Sequence, residues 1–346
     1  MFLTEKEILD TPAALEKTCR YFRAQLDGHK HFFARNPLRK FAFFGCGSSY
    51  MLAKSAAAVF GALPATSACA IPAGDYLLDP ASWQEALKGS IVVALSRSGR
   101  TSELVLAVRD IRLSLGCPVI SLSAQRGSDL APVSQLDIVL DWCYDQSVCQ
   151  TRTVTNFYAA ILLLAAVYSD DAALCQGVHT AAAQCEAFQQ TNRAALENVA
   201  ALEWEDAVVL ADGPLCGIAE EGALAFTEIS MLCGRYFHLL DYRHGPIVIS
   251  RQDTLTLMVL RPGEEELQKA MAADVLALGG PLLTISDRPG NPWGGVANLQ
   301  IEGLAPFAAW GIPFIYVAQM LALLKALRLG RNPDAPKGLD PYITLN

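Results

Sequence analysis

The chain has 346 residues, 52 % hydrophobic and 18 % charged, enough apolar mass for two ordinary domains and too little charge for a disordered chain. Its formal net charge of -8 argues against binding nucleic acid through a basic surface. It leaves room for an anionic small molecule, because backbone dipoles bind anions on acidic proteins. The 10 cysteines form no CxxC pair and no Cys/His cluster with zinc spacing, so buried thiols are expected, with no metal and no cofactor. The first residues lack the basic and apolar segments of a signal peptide. The apolar run at 158–168 is short of the ~20 residues that span a bilayer. A soluble, cytoplasmic protein without membrane or nucleic-acid partners is the expectation.

Residues 1–34 carry helical spacing, with Thr11 as a candidate N-cap before Pro12. A first α/β domain is expected over 35–169. An apolar strand at 40–44 runs into Gly45-Cys46-Gly47-Ser48-Ser49 and a helix to about residue 60. A second strand at 91–95 enters Ser96-Arg97-Ser98-Gly99-Arg100-Thr101 and a helix through 111. Further strands are expected at 119–122 and 138–140, then a Ser/Thr-rich segment at 147–155 before an apolar helix. Short apolar runs between helices mark parallel strands covered on both faces. Residues 170–202 are predicted as a connecting helix, and 203–330 repeat the first pattern. There a strand at 207–210 precedes a turn and a helix through 234, and strands are expected at 247–249, 254–259, 282–285 and 299–301. A long helix at 313–329 precedes a polar tail, 331–346, predicted to fray. The fold class is therefore α/β, two tandem doubly wound, flavodoxin-like domains with parallel sheets flanked by helices.

The two turns after the first strands have the chemistry of a phosphate cradle. Glycines let backbone N–H groups approach a ligand, serine hydroxyls add donors, and a helix N-terminus favours an anion. No dinucleotide G-x-G-x-x-G or P-loop lysine accompanies them. In the second half Glu221 and Glu228 are two helical turns apart and share a face that is otherwise apolar. His244 sits in Arg243-His244-Gly245-Pro246, a loop punctuated by Gly–Pro. Aldose–ketose chemistry needs ring opening, which suits a histidine, and proton transfer between C1 and C2, which suits a carboxylate of raised pKa.

The segments GCGSS, SRSGRTSE, TRTVT, EGALAFTEIS, RHGP and DAPKGLDPYIT, with the opening KEILDTP, occur in an order that resembles the sugar isomerase (SIS) family. The likeness is to the isomerase half of glucosamine-6-phosphate synthase and to stand-alone phosphosugar isomerases, deaminases and deglycases. The resemblance implies ligand roles for Cys46, Ser48 and Ser49, and phosphate binding by Ser96, Arg97, Ser98 and Thr101, with Arg97 in place of a glutamine. It implies sugar contacts at Val148 and Gln150, C1/C2 proton transfer by Glu228, support from Glu221, and ring opening by His244 contributed across a homodimer interface.

Two synthase lysines are absent: Ala225 and Pro341 stand in their places, and Lys337 lies four residues before the second. No glutaminase segment is visible. The expected activity is therefore isomerase or deaminase chemistry on an amino-sugar or ketose 6-phosphate without an enzyme-bound imine. One alternative is a deglycase acting on a fructosamine- or glucosamine-type 6-phosphate adduct of an amino acid. Another is a non-catalytic phosphosugar sensor.

Overall fold

The structure, a computed structural model, describes residues 1–263 and 265–339. Three helices open the chain, α1 (Leu3–Leu9), α2 (Thr11–Ala24) and α3 (Leu26–Arg35). Asp10, one residue before the expected position, holds the N-cap of α2, and the Thr11 hydroxyl instead donates to the Glu7 carbonyl.

The first sheet follows, through β1 (Lys40–Gly45), α4 (Ser48–Gly61), β2 (Ser67–Pro72), α5 (Ala73–Leu78), α6 (Pro80–Leu87), β3 (Ile91–Ser96), α7 (Ser102–Leu115), β4 (Val119–Ser123) and β5 (Leu136–Val139). Its strands are parallel in the order β2-β1-β3-β4-β5. Helices α8 (Arg152–Ser169) and α9 (Ala172–Ala200) lead to the second sheet. That half comprises β6 (Asp206–Ala211), α10 (Cys216–Glu228), β7 (Cys233–His238), β8 (Thr254–Val259), α11 (Glu265–Ala277), β9 (Leu282–Ser286), β10 (Ala297–Gln300) and α12 (Gly311–Arg328). The second order, β10-β9-β8-β6-β7, is again all parallel and repeats the first topology.

Alternation along the strands builds three cores. Phe41 and Phe43 face a large central core between the sheets, shared with Val209, Leu257 and the buried helices α8 and α12. Ala42 and Phe44 face a separate core outside the first sheet, and Val208 and Leu210 one outside the second. Helix α12, with the turn before it, is the one stretch among the described residues long and apolar enough to cross a membrane. In its most apolar window 89 % is buried inside the protein, as expected of a core helix.

The sequence pattern erred at three places. The helix expected through residue 234 ends at Glu228, and β7 takes the rest as an edge strand. The edge strand β2 was not expected either, because its half-exposed residues lack a core pattern. Residues 247–249 form a short 3-10 turn, Pro246–Ile249, and no strand. The proline lacks the N–H that a ladder requires, and an apolar run alone does not specify a strand.

In the tail, Asp334 caps α1, accepting from the Leu3 and Thr4 N–H groups at 2.8 Å and from the Thr4 hydroxyl at 2.7 Å. Arg331 donates to the carbonyls of Ser230 and Met231. The expected fraying therefore does not extend to this part of the tail.

The site depends on how α4 and α10 cross. Gly217 lies against the backbone of Met51 and Ser55, the Ile218 N–H donates to the Ser55 hydroxyl at 2.8 Å, and Lys54 pairs with Glu220 at 2.7 Å. At the other end Ser48 hydrogen-bonds to the Glu221 carboxyl. Residue numbers rise along one helix as they fall along the other, so the helices are antiparallel. The carboxyl end of the first sheet thus meets the end of the second domain where α10 finishes.

Candidate active site

The turns after β1 and β3 flank the point where strand order reverses, the usual binding crevice of an open α/β sheet. Each needs its glycine. A β-carbon on Gly45 would stand 2.4 Å from the Ser49 backbone. Gly99 has φ +62°, and a β-carbon there would reach within 2.3 Å of Ser128. Ser48 and Ser49, both buried, open α4. The Ser96 hydroxyl accepts from the Gly99 N–H at 3.0 Å and lies 3.2 Å from the Thr101 hydroxyl. Ser98 accepts from the Arg100 N–H at 3.2 Å. Thr101 precedes α7 without using its side chain as a cap. Cys46, Ser48, Ser49, Ser96, Ser98 and Thr101 are thus gathered at two adjacent helix N-termini, where dipoles and N–H groups favour an anion. Burial pushes the Cys46 thiol up to about 11, so it enters as a neutral group.

Arg97 departs from its neighbours. It is only 4 % exposed, and Nη1 donates to the carbonyls of Ser147 and Val148 at 3.0 and 3.1 Å. Its guanidinium carbon lies 5.8 Å from the Tyr144 ring centre. The segment it grips, 144–151, is also held by two buried acids, Glu7 from α1 and Asp145 from within the segment itself. Glu7 accepts from the N–H groups of Gln146 and Ser147 and from the Ser147 hydroxyl. Asp145 accepts from the N–H groups of Thr151 and Thr153 at 2.8 and 2.9 Å. Val148 is half-buried beside these anchors, and the Gln150 side-chain oxygen is buried without a hydrogen-bond partner among the described residues. The structural importance of Glu7 and Asp145 was missed in the sequence, where both stand among other polar residues that give no sign of burial.

Glu221 is buried, and one carboxyl oxygen has no hydrogen-bond partner. Burial raises its pKa well above the usual carboxylate range, with further upward pressure from Glu228 and relief from Ser48. Glu228 is half-buried at the last position of α10. Burial lifts it to about 7, against the lowering influence of the Arg97 guanidinium. The buried Cys149 thiol feels both carboxylates and Arg97, so these side chains belong to one electrostatic cluster.

His244 lies elsewhere in this chain. It is exposed and follows β7, whereas Glu228 precedes β7, so the length of that strand, about 16 Å, separates their ends of the domain. Among the described residues the His244 side chain makes no hydrogen bond or ion pair. Ala225, at the position of a synthase lysine, is buried, Lys337 is exposed, and Pro341 lies outside the described residues.

The fold and its crevice define a tandem doubly wound α/β protein in which two hydroxyl-rich turns lie near a buried and a half-buried carboxyl group, Glu221 and Glu228. Residues 38–167, the first α/β half, match the SIS domain family. It is 24 % identical over 372 residues to the glutamine–fructose-6-phosphate aminotransferase of Caulobacter vibrioides, covering 99 % of this chain and 58 % of that protein. The corresponding protein of Pyrobaculum aerophilum is 26 % identical, with 98 % and 57 % covered. The chain thus spans under two thirds of the length of these relatives, and its likeness is to their isomerase half.

Among solved structures, the glucosamine-6-phosphate deaminase of Thermotoga maritima superposes with TM-score 0.85 at 24 % identity, covering 99 % of this chain and 100 % of that one. The tagatose-6-phosphate ketose/aldose isomerase of Escherichia coli gives 0.85 at 21 %, with 99 % and 96 % covered. At such identities the superpositions establish the tandem fold.

Proposed function

We propose that this chain is a phosphosugar isomerase or deaminase, in which the turns after β1 and β3 hold the 6-phosphate and Glu228 moves a proton between C1 and C2. The observation that carries the reading is the placement of Glu228, half-buried beside Arg97 and the turn after β3, where burial raises its carboxyl pKa to about 7. At neutral pH about half of it is ionised, so it can take a proton and return one.

The carboxylate removes the proton from the carbon next to the carbonyl of the opened sugar. The C–H electron pair becomes the C=C of an enediol or, with an amino sugar, an enolamine. Glu228 then returns the proton to the neighbouring carbon. Starting from a 2-amino aldose, protonation at C1 leaves an imine at C2, which water hydrolyses to a ketose and ammonia. Starting from a 1-amino ketose, protonation at C2 leaves an imine at C1, which water hydrolyses to an aldose and the free amine. The sequence supports keeping this second, deglycase reading, because Pro341 stands where the synthase's tail lysine would form an imine with the sugar. Glu221, held protonated, supports the ionised form of Glu228 by remaining neutral. His244 of a partner subunit opens the ring in a homodimer, which accounts for its exposed position on its own chain.

The test is Glu228→Gln assayed against glucosamine 6-phosphate, galactosamine 6-phosphate and 6-phosphorylated fructosyl-amino acids, scoring released ammonia and released amino acid. Turnover of the active substrate should fall by about 10²–10⁴-fold with binding retained. Full activity in the variant would remove Glu228 from the role of base.

A further inference from the structure

We infer that Arg97 is a positioning residue that clamps the 144–151 segment against the cradle and holds the site's carboxylate ready, and is not a ligand of the phosphate. This rests on the reading of Glu228 as the base. Its neighbours Ser96, Ser98 and Thr101 are placed for an anion at the helix N-termini. Arg97 instead spends Nη1 on two backbone carbonyls of another segment, 50 and 51 residues away, at 3.0 and 3.1 Å. A guanidinium is suited to this because its Nη1 amino group can donate to two acceptors while the charge rests 5.8 Å from the Tyr144 ring centre. The segment is then anchored at both polarities, its N–H groups by Glu7 and Asp145 and its carbonyls by Arg97. A glutamine at this position would carry no charge.

The charge has its own consequence. Glu228 is faced by Glu221 from its own helix, Arg97 from the β3–α7 turn and the Cys149 thiol from the clamped segment. Asp334 acts on Cys149, and Arg331 holds the carbonyls just after Glu228. Both Glu221 and Cys149 are pushed toward their neutral forms, which leaves Arg97 as the principal influence favouring the Glu228 carboxylate.

The experiment compares Arg97→Gln and Arg97→Lys in the full chain, with Ser98→Ala/Thr101→Ala as the cradle control. Three readouts are used: calorimetric binding of glucose 6-phosphate, the pH profile of solvent deuterium incorporation at C2 of glucosamine 6-phosphate, and amide exchange across 144–151. For Arg97→Gln, binding should stay within about threefold of the parent while the exchange rate falls about tenfold or more. Its acidic limb should move to higher pH by about half a unit or more, and the 144–151 amides should exchange faster. Lysine should restore the position of the limb but only part of the rate, because it keeps charge without the guanidinium. If Arg97→Gln does not fold, unchanged binding with an unmoved limb and a reduced rate in Arg97→Lys supports the same assignment. A tenfold loss of glucose 6-phosphate binding in either variant, matching the cradle control, overturns it, as does an unmoved acidic limb in folded Arg97→Gln. Failure of the base reading is separately visible: Glu228→Gln would then still incorporate deuterium, while binding and amide exchange would continue to judge the clamp.

Discussion

Replacing Gly217 by alanine tests how the site is assembled. Judged by helix propensity alone, the change should stabilise α10 by up to about 1 kcal/mol. The packing says the opposite. A β-carbon at Gly217 would stand 2.0 Å from the Met51 carbonyl oxygen, 2.5 Å from the Ser55 nitrogen and 3.0 Å from the Lys54 β-carbon. Two of these are backbone atoms of α4 and cannot rotate aside. Restoring ordinary contact requires the helices to part by roughly 1 Å, which strains the buried bond from the Ile218 N–H to Ser55. Overpacking costs about 1–3 kcal/mol, and loss of that bond about 1 kcal/mol more. The expected fall in Tm is about 3–6 °C by scanning calorimetry. Gly222→Ala is the control. Its β-carbon would first meet side-chain atoms of Ala318 and Phe314 at 3.0 Å, and the Phe314 ring can adjust, so its Tm should fall less. A Gly217→Ala protein as stable as the parent, or a larger loss for Gly222→Ala, would refute the argument that backbone contact between α4 and α10 joins the two halves.

Two further outcomes follow from the carboxyl groups and the proposed dimer. The Glu221 carboxyl has its folded-state pKa raised, so it stabilises the fold fully below its unfolded pKa, and that contribution is lost as pH rises toward the folded value. Glu221→Gln should therefore gain stability relative to the parent above about pH 4.5, growing by at most about 1.4 kcal/mol per pH unit; identical pH dependence in parallel calorimetric series would contradict the burial argument. If a partner subunit supplies His244, inactive Glu228→Gln and His244→Asn chains, unfolded and refolded together, should recover about a quarter of the parent activity through mixed dimers with one intact site. No recovery, with mixed dimers verified by mass, would place both residues' work within one chain.

Much of the fold was legible because the central strands are apolar on both faces and each runs into a glycine-rich turn. Residues 40–45 and 91–96 carry both signals, and their loops stand out by hydroxyl content. The edge strands β2 and β7 were hidden because their residues are half-exposed, with no buried periodicity to report. At the site, Ser48 and Ser98 were legible through local turn chemistry, and Glu221 and Glu228 through an acid stripe on an apolar helix. The path of the Arg97 side chain was not. Its sequence neighbours suggest an anion ligand, whereas its direction is decided by carbonyls about fifty residues later, brought near by the sheet. The separation of Glu228 from His244 was likewise hidden, since it depends on β7 lying between them.

The antiparallel crossing of α4 and α10 makes the two halves an inverted repeat that divides its labour. The first half contributes the carboxyl end of its sheet to the crevice, and the second contributes the opposite end of its own. The second half's turn after β6 is therefore relieved of holding this ligand. There Asp212 pairs with Arg261, which rests 4.7 Å from the Phe307 ring, and a charge pair internal to the protein occupies the turn. Duplication has supplied two copies of one scaffold, and inversion has let the second lose the glycine–serine signature without dismantling the crevice. The paired halves meet through different ends, so on the proposed reading the cradle and the base come from non-equivalent parts of the repeat.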